Sequence, residues 1–362
     1  MRSRILFLML ASLLAAGSCQ RQEPAMTAME PTAAAEEPGR GDWLVRSLRA
    51  EPGTLNPIVA TDFSESQINS GMSGHIYETL IYRDPRTLEF KPLLAESWEE
   101  SPDHRVYTFH LRQGVRWHNG AEFTASDILY SYERIQDPTV KAAHLRSYYQ
   151  NVEKVEALDD HTVRFTFSRP EYLSFETAGS IAIVAQSVFD DGQDFNTHPA
   201  GRSPVGTGPY KFHRWTTGQE IVLERNPDYW GEAIGRGGYV DRLVFRLAQD
   251  PTTALQMLKA GQIDVLTDIR AVQWAKQMSS RSFEAKFNKY KFYTPQYSYI
   301  GWNSLRPFFA DKRCRRAMTQ LFNREEFAEK VLYGLSEVIS GGLFFLSPYY
   351  DSSIEPWPYD PE

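Results

Sequence analysis

A carboxylate in a turn that directly follows a strand can pair an ammonium group, and Glu51 occupies such a turn. It opens Glu51-Pro52-Gly53-Thr54-Leu55-Asn56-Pro57, after the run Trp43 to Leu48. Loops at strand ends concentrate ligand contacts, so Glu51, Leu55 and Asn56 are one group of candidate cleft residues. Tyr297, Trp302 and Asn303, near an expected later strand, form a second, with the aromatic rings as a wall. Each of the six can also be read as ordinary surface or core.

Other chemistry is hard to assemble from this chain. There is no His-Glu-x-x-His, no Gly-x-Ser-x-Gly, no phosphate-cradling Gly-x-x-x-x-Gly-Lys loop and no paired cysteine spacing. The eight histidines are scattered, with His110 on an expected strand and His118 past a turn, so no metal and no cofactor is expected. Gly206-Thr207-Gly208-Pro209-Tyr210 places a proline where a phosphate loop needs donating amides, and reads as a turn. A formal charge of −7 without a Lys/Arg cluster argues against a nucleic-acid partner.

The start carries its own chemistry. Arg2 and Arg4 precede an apolar run from Ile5 to Ala16, too short to span a bilayer and suited to a signal peptide over 1–18. Small residues then lead into Cys19 through Ala15-Ala16-Gly17-Ser18, a pattern like a bacterial lipobox, in which the thiol receives a diacylglycerol before cleavage. Ala16 stands where leucine is commoner, so ordinary cleavage nearby, with an unmodified cysteine, stays open. Cleavage before Cys19 removes two arginines and no acid, moving the formal charge from −7 to −9. The only other cysteine, Cys314, is expected to pack in the core. From 19 to 42 the chain is rich in Ala, Glu, Pro and Thr and reads as a disordered tether.

Elements that would position these residues follow. Trp43 to Leu48 is a buried strand. Tyr107, Phe109 and Leu111, and Val163, Phe165 and Phe167, alternate with more polar neighbours as half-buried strands. Thr124 with Asp127 resembles a capping box ahead of Ile128, Tyr132 and Ile135 on one helical face. Asp250-Pro251 opens a helix that Gly261 closes, and Ile263 to Leu266 is expected as the next strand. Asp311 begins a further helix through Ala317, Met318 and Leu321, and Gly334 ends the one after. The class is mixed α/β or α+β, without internal repeats.

Several blocks in fixed order carry a resemblance. Leu94-Ala95-Glu96-Ser97-Trp98 runs through Ser101-Pro102-Asp103 into Tyr107-Thr108-Phe109-His110-Leu111-Arg112, Gly114-Val115-Arg116-Trp117-His118-Asn119-Gly120 and Phe123-Thr124-Ala125-Ser126-Asp127. Later come Val205 to Tyr210, Glu224-Arg225-Asn226-Pro227-Asp228-Tyr229-Trp230-Gly231 and Tyr299-Ile300-Gly301-Trp302-Asn303. Together they resemble the family 5 solute-binding proteins, the peptide, oligopeptide and nickel receptors of ABC importers. Most of these residues read as architecture; Trp117 between two glycines suits an aromatic plug in a turn.

The resemblance implies a two-lobed, periplasmic-binding-protein-like fold: lobe one over 43–268, with an inserted subdomain at roughly 60–185, and a partial lobe two over 269–362. It implies a monomeric receptor, not an enzyme, that closes on a peptide and docks on permease subunits. The lipid anchor would hold it in the periplasm, with Gln20 after Cys19 favouring the outer membrane. A nickel chelate, haem, opine or sugar ligand, and an exported enzyme, remain the rival readings. Family members resembling this chain continue beyond Glu362, so the expectation for residues 1–362 alone is an incomplete second lobe and weak or absent ligand binding. Lipidation predicts that the wild type enters the detergent phase on Triton X-114 partitioning and that Cys19→Ala moves it to the aqueous phase; a wild type found wholly in the aqueous phase contradicts the lipobox reading.

Overall fold

A computed structural model describes residues 39–69, 74–85, 87–294 and 296–362. The signal segment, Cys19 and the tether as far as residue 38 lie outside the described residues. The chain divides into two units, Met1–Arg40 and Gly41–Glu362. Everything below concerns the second.

Among the described residues, ten strands build three sheets. β1 (Trp43–Leu48) is where the sequence places it, but only Leu48 of it is buried and Trp43 is exposed; it runs parallel to β10 (Arg242–Leu247), in register from Trp43 opposite Arg242 to Leu48 opposite Leu247. β9 (Glu220–Arg225) and β8 (Tyr210–Thr216) extend this sheet antiparallel, in the order β1-β10-β9-β8. A second sheet has the order β4-β5-β7-β6, from β4 (Ala95–Glu100), β5 (Val106–Leu111), β6 (Val152–Asp159) and β7 (Thr162–Phe167). The pair β2 (Ile81–Arg83) and β3 (Phe90–Pro92) stands alone.

Alternation explains the second sheet. Phe109, Val163, Phe165 and Phe167 turn to one face and are buried, with the Phe109 and Phe165 rings edge to face at 6.0 Å. Helix α1 (Phe63–Ile68) follows the loop after β1, and α2 (Ala125–Gln136) covers the second sheet with Ile128 and Ile135 fully buried. The expected capping box is present: the Thr124 hydroxyl takes the Asp127 amide, and the Asp127 carboxylate takes the Thr124 amide at 3.0 Å. That carboxylate also accepts the Gln186 amide at 2.9 Å and the Trp117 indole N–H at 3.1 Å, so the helix cap pins the plug. The turn around Trp117 needs its glycines, because Gly114 and Gly120 have φ of +75° and +89°.

Asp250 caps the helix Pro251–Lys259 through the Thr252 and Thr253 amides, and Gly261 leaves it at φ +70°. The strand expected at Ile263 to Leu266 is a correction: the segment makes one isolated parallel bridge, Val265 to Arg46. The Asp264 carboxylate accepts the Val45 amide there, taking a backbone donor that a longer ladder would need. Ile263 joins a satellite core with Leu255, Leu258, Met278 and Phe283.

Asp311 caps the helix Lys312–Gln320 as expected, but Cys314 is half-buried and no residue of that helix is buried. Its first turn, Lys312-Arg313-Cys314-Arg315-Arg316, carries cations all round and cannot turn the thiol into a dry interior. Trp117 is 3% exposed. Trp117→Ala is expected to lower unfolding free energy by about 3–5 kcal/mol, read by urea denaturation; a wild-type midpoint would remove the indole from the core.

Candidate ligand-binding site

The loop after β1 is held from three sides. On one side the Leu55 amide donates to the Gly201 carbonyl at 2.6 Å and the Thr54 hydroxyl to the same oxygen at 3.3 Å. Beneath it, the Asp62 carboxylate accepts the Gly53 amide at 3.2 Å, and the Asn69 amide group donates to the Leu55 carbonyl at 2.5 Å. On the third side the Glu51 carboxylate accepts the Trp215 indole N–H at 2.6 Å and the Gly218 amide at 3.1 Å.

Two of the candidates in this loop are buried. Leu55 is 0% exposed and belongs to the main core, and Asn56 is 1% exposed with its Oδ1 on the Ile58 amide. Neither presents a face to a ligand in this structure. The reason is local: the asparagine closes a turn on its own backbone and draws the preceding leucine inward. Glu51 reaches the surface only in part, and its oxygens are occupied. What it supports is a shelf in which the Arg202 guanidinium lies 3.7 Å from the centre of the Trp215 ring and donates to the Thr217 hydroxyl at 2.9 Å. Beside the shelf, Glu51, Trp215, Gln219 and Phe245 line a pocket of about 10 Å³, far below the several hundred Å³ of a complete small-molecule site.

The second group lies in a segment without strands. Among the described residues from 269 to 362 no strand forms, which corrects the expectation of one near Tyr297: an extended segment becomes a strand only with a ladder partner, and this one has none. Tyr297 is 53% exposed, 5.8 Å ring to ring from Tyr299. Trp302 stacks on Phe309 at 5.1 Å, and Asn303 caps a turn through the Leu305 amide. Among the described residues no hydrogen bond, ion pair or ring contact joins these three to Glu51, Leu55 or Asn56.

Sequence reasoning missed the partners of Glu51. Trp215 and Gly218 lie 164 and 167 positions away, and no spacing announces them. It also missed Glu78, 5% exposed, whose carboxyl receives the Thr207 hydroxyl at 3.0 Å, the Tyr229 hydroxyl at 2.5 Å and the Trp230 indole at 2.9 Å. The available signal was one acid inside the otherwise apolar Ile76-Tyr77-Glu78-Thr79-Leu80-Ile81. Burial raises its pKa to about 7 against the pull of those three bonds and of Arg236. Next to it, the His118 Nδ1 accepts the Gly206 amide at 3.1 Å while Nε2 meets the Gly208 carbonyl at 2.9 Å. Only a neutral ring protonated on Nε2 serves both, and burial lowers its pKa to about 4.

One hydrophobic core draws on both four-stranded sheets and on Leu55 of the loop after β1. Residues 89–362 match the family described as bacterial extracellular solute-binding proteins, family 5, and the chain belongs to that family. It is 30% identical to the di/tripeptide-binding protein 2 of Pseudomonas aeruginosa over 360 residues, 87% of this chain and 63% of the relative. Among solved structures it resembles the periplasmic binding protein DppA of Helicobacter pylori in complex with the peptide STSA, at 28% identity and TM-score 0.75, over 89% of this chain and 64% of that one. It also resembles the oligopeptide-binding protein AppA of Bacillus subtilis in complex with a nonapeptide, at 28% identity and TM-score 0.76, over 90% and 63%. The chain thus spans less than two thirds of these relatives, and its mixed α/β fold is that of the periplasmic binding proteins. No helix among the described residues is long and apolar enough to cross a membrane.

Glu78 gives a pH signature. Its folded pKa lies above the unfolded 4.5, so its contribution is most favourable below pH 4.5 and is lost as pH rises through about 7. Stability of the wild type relative to Glu78→Gln is therefore expected to fall between pH 4.5 and 7 and to level off above. Parallel urea curves at every pH would show that Glu78 titrates normally.

Proposed function

We propose that this chain captures peptides outside the cytoplasmic membrane and delivers them to the permease subunits of an ABC importer, as a receptor and not as an enzyme. One observation carries the reading: similarity at 28–30% identity to a di/tripeptide-binding protein and to two binding proteins solved with peptides bound. Peptides suit such a scaffold because their main-chain amides can be paired like an added strand, leaving side chains in hydrated pockets. Hinge closure over the peptide then shifts the open–closed equilibrium by the differential affinity of the two states.

In this reading lobe one covers 43–268 with its insertion at roughly 60–185, and 269–362 belongs to lobe two. The direct pairing of β1 with β10, with a self-contained sheet between them in sequence, supports such an insertion. Glu51 acts through the Trp215–Arg202 shelf, and Tyr297, Trp302 and Asn303 supply the opposing aromatic and amide contacts. The protein sits in the periplasm as a monomer, tethered by a lipid on Cys19 to the outer membrane.

Uptake of radiolabelled di- and tripeptides is expected to fall on deletion of the gene for this chain and to return on its re-expression. Peptide uptake that survives deletion, alongside loss of uptake of a nickel chelate, haem, opine or sugar, would replace peptide with that solute.

A further inference from the structure

A buried polar link joins α1 to the loop after β1. Asn69, 0% exposed at the C-terminal end of α1, gives one Nδ2 hydrogen to the Leu55 carbonyl at 2.5 Å and the other to Glu65 Oε1 at 2.7 Å. Both amide hydrogens are thus engaged, and the plane of the side chain is set by Glu65, itself only 7% exposed. The Leu55 amide is held on the other side by the Gly201 carbonyl. The peptide units flanking Leu55 are therefore clamped between α1 and the turn at Pro199–Gly201. Glu51 stands four residues earlier on the same loop, and its carboxylate meets both Trp215 at 2.6 Å and Arg202 at 3.9 Å.

We propose that Asn69, oriented by Glu65, is the positioning residue that sets the 51–57 loop for ligand, an inference that rests on reading that loop as part of the peptide site. Neither residue touches the ligand; both act through the Leu55 carbonyl. The link also ties the loop to a proton. Glu65 faces Asn69 and Asp62 around its own helix and Tyr77 from the following segment, and burial, followed by the Asp62 charge, raises its pKa to about 7 against the Asn69 bond. An opened loop returns the carboxyl to water and to 4.5. The clamped state then binds the proton more tightly, so opening becomes easier as pH rises from 4.5 to 7 and is constant above.

Hydrogen–deuterium exchange of the full chain, followed by mass spectrometry over residues 51–60 and corrected for intrinsic rates, reads the loop without any ligand. Wild-type protection is expected to drop about tenfold between pH 5 and pH 8, part of the linkage that such a carboxyl can supply. Glu65→Gln, which keeps an acceptor for Asn69, should show no such drop. Asn69→Ala should be about tenfold less protected at pH 5, the equivalent of one lost buried hydrogen bond; if it fails to fold, Glu65→Gln carries the test. An unchanged pH dependence in Glu65→Gln, or wild-type protection in a folded Asn69→Ala, overturns the proposal. Failure of the peptide reading shows separately, in the uptake of labelled peptides, while the exchange result stands by itself.

Discussion

A carboxyl taken out of water has to be matched by donors or it neutralises, and Glu78 imposes that constraint on the centre of this molecule. Its three donors come from Thr207, Tyr229 and Trp230, two segments far away in sequence. Satisfying the acid brings the turn before β8 and the corner after β9 onto the segment that leads into β2. The close approach of backbones there admits only glycine: a Cβ on Gly206 would lie 1.9 Å from the Ile76 carbonyl oxygen. The His118 ring closes the same turn from the other side. One buried acid therefore explains why a glycine-rich turn, an Asn-Pro-Asp-Tyr-Trp corner and a histidine at the end of an aromatic plug occur in one chain.

Buried titratable groups of opposite sign share this interior. Glu65 and Glu78 are raised to about 7, whereas His75 and His118 are lowered to about 4, in every case chiefly by desolvation. The acids favour the folded state at low pH and lose that contribution as pH rises. The histidines contribute above 6.5 and lose it as pH falls through 4. Across the interval between, the two pairs oppose each other and flatten the pH dependence of stability.

The candidate site takes its character from support more than from free groups. Glu51 holds Trp215, Trp215 carries Arg202, and Leu55 is clamped from above and below. On the proposed reading, this rigidity suits a loop that presents a fixed edge to ligand backbone. The aromatic residues after 290 are different, with Tyr290, Phe292 and Tyr299 each more than 70% exposed and without a ladder to order them.

Local rules in the sequence determined the elements: the period-two alternation of β5 and β7, the Thr124–Asp127 box, the Asp250-Pro251 start and Asp311 cap, and glycines at the positive-φ turns around Trp117. These depend on residues within a few positions of each other, which is why they are legible. The ordered blocks from Leu94 onward likewise carried the family. Only the tertiary structure decided what the loop residues do. Leu55 and Asn56 looked available because a turn-rich stretch reads as surface, and they are interior because α1 and the Gly201 turn close over them. The partners of Glu51 and Glu78 lie more than a hundred residues away. Hydrogen bonding across such separations is set by how sheets pack, and no local pattern encodes it.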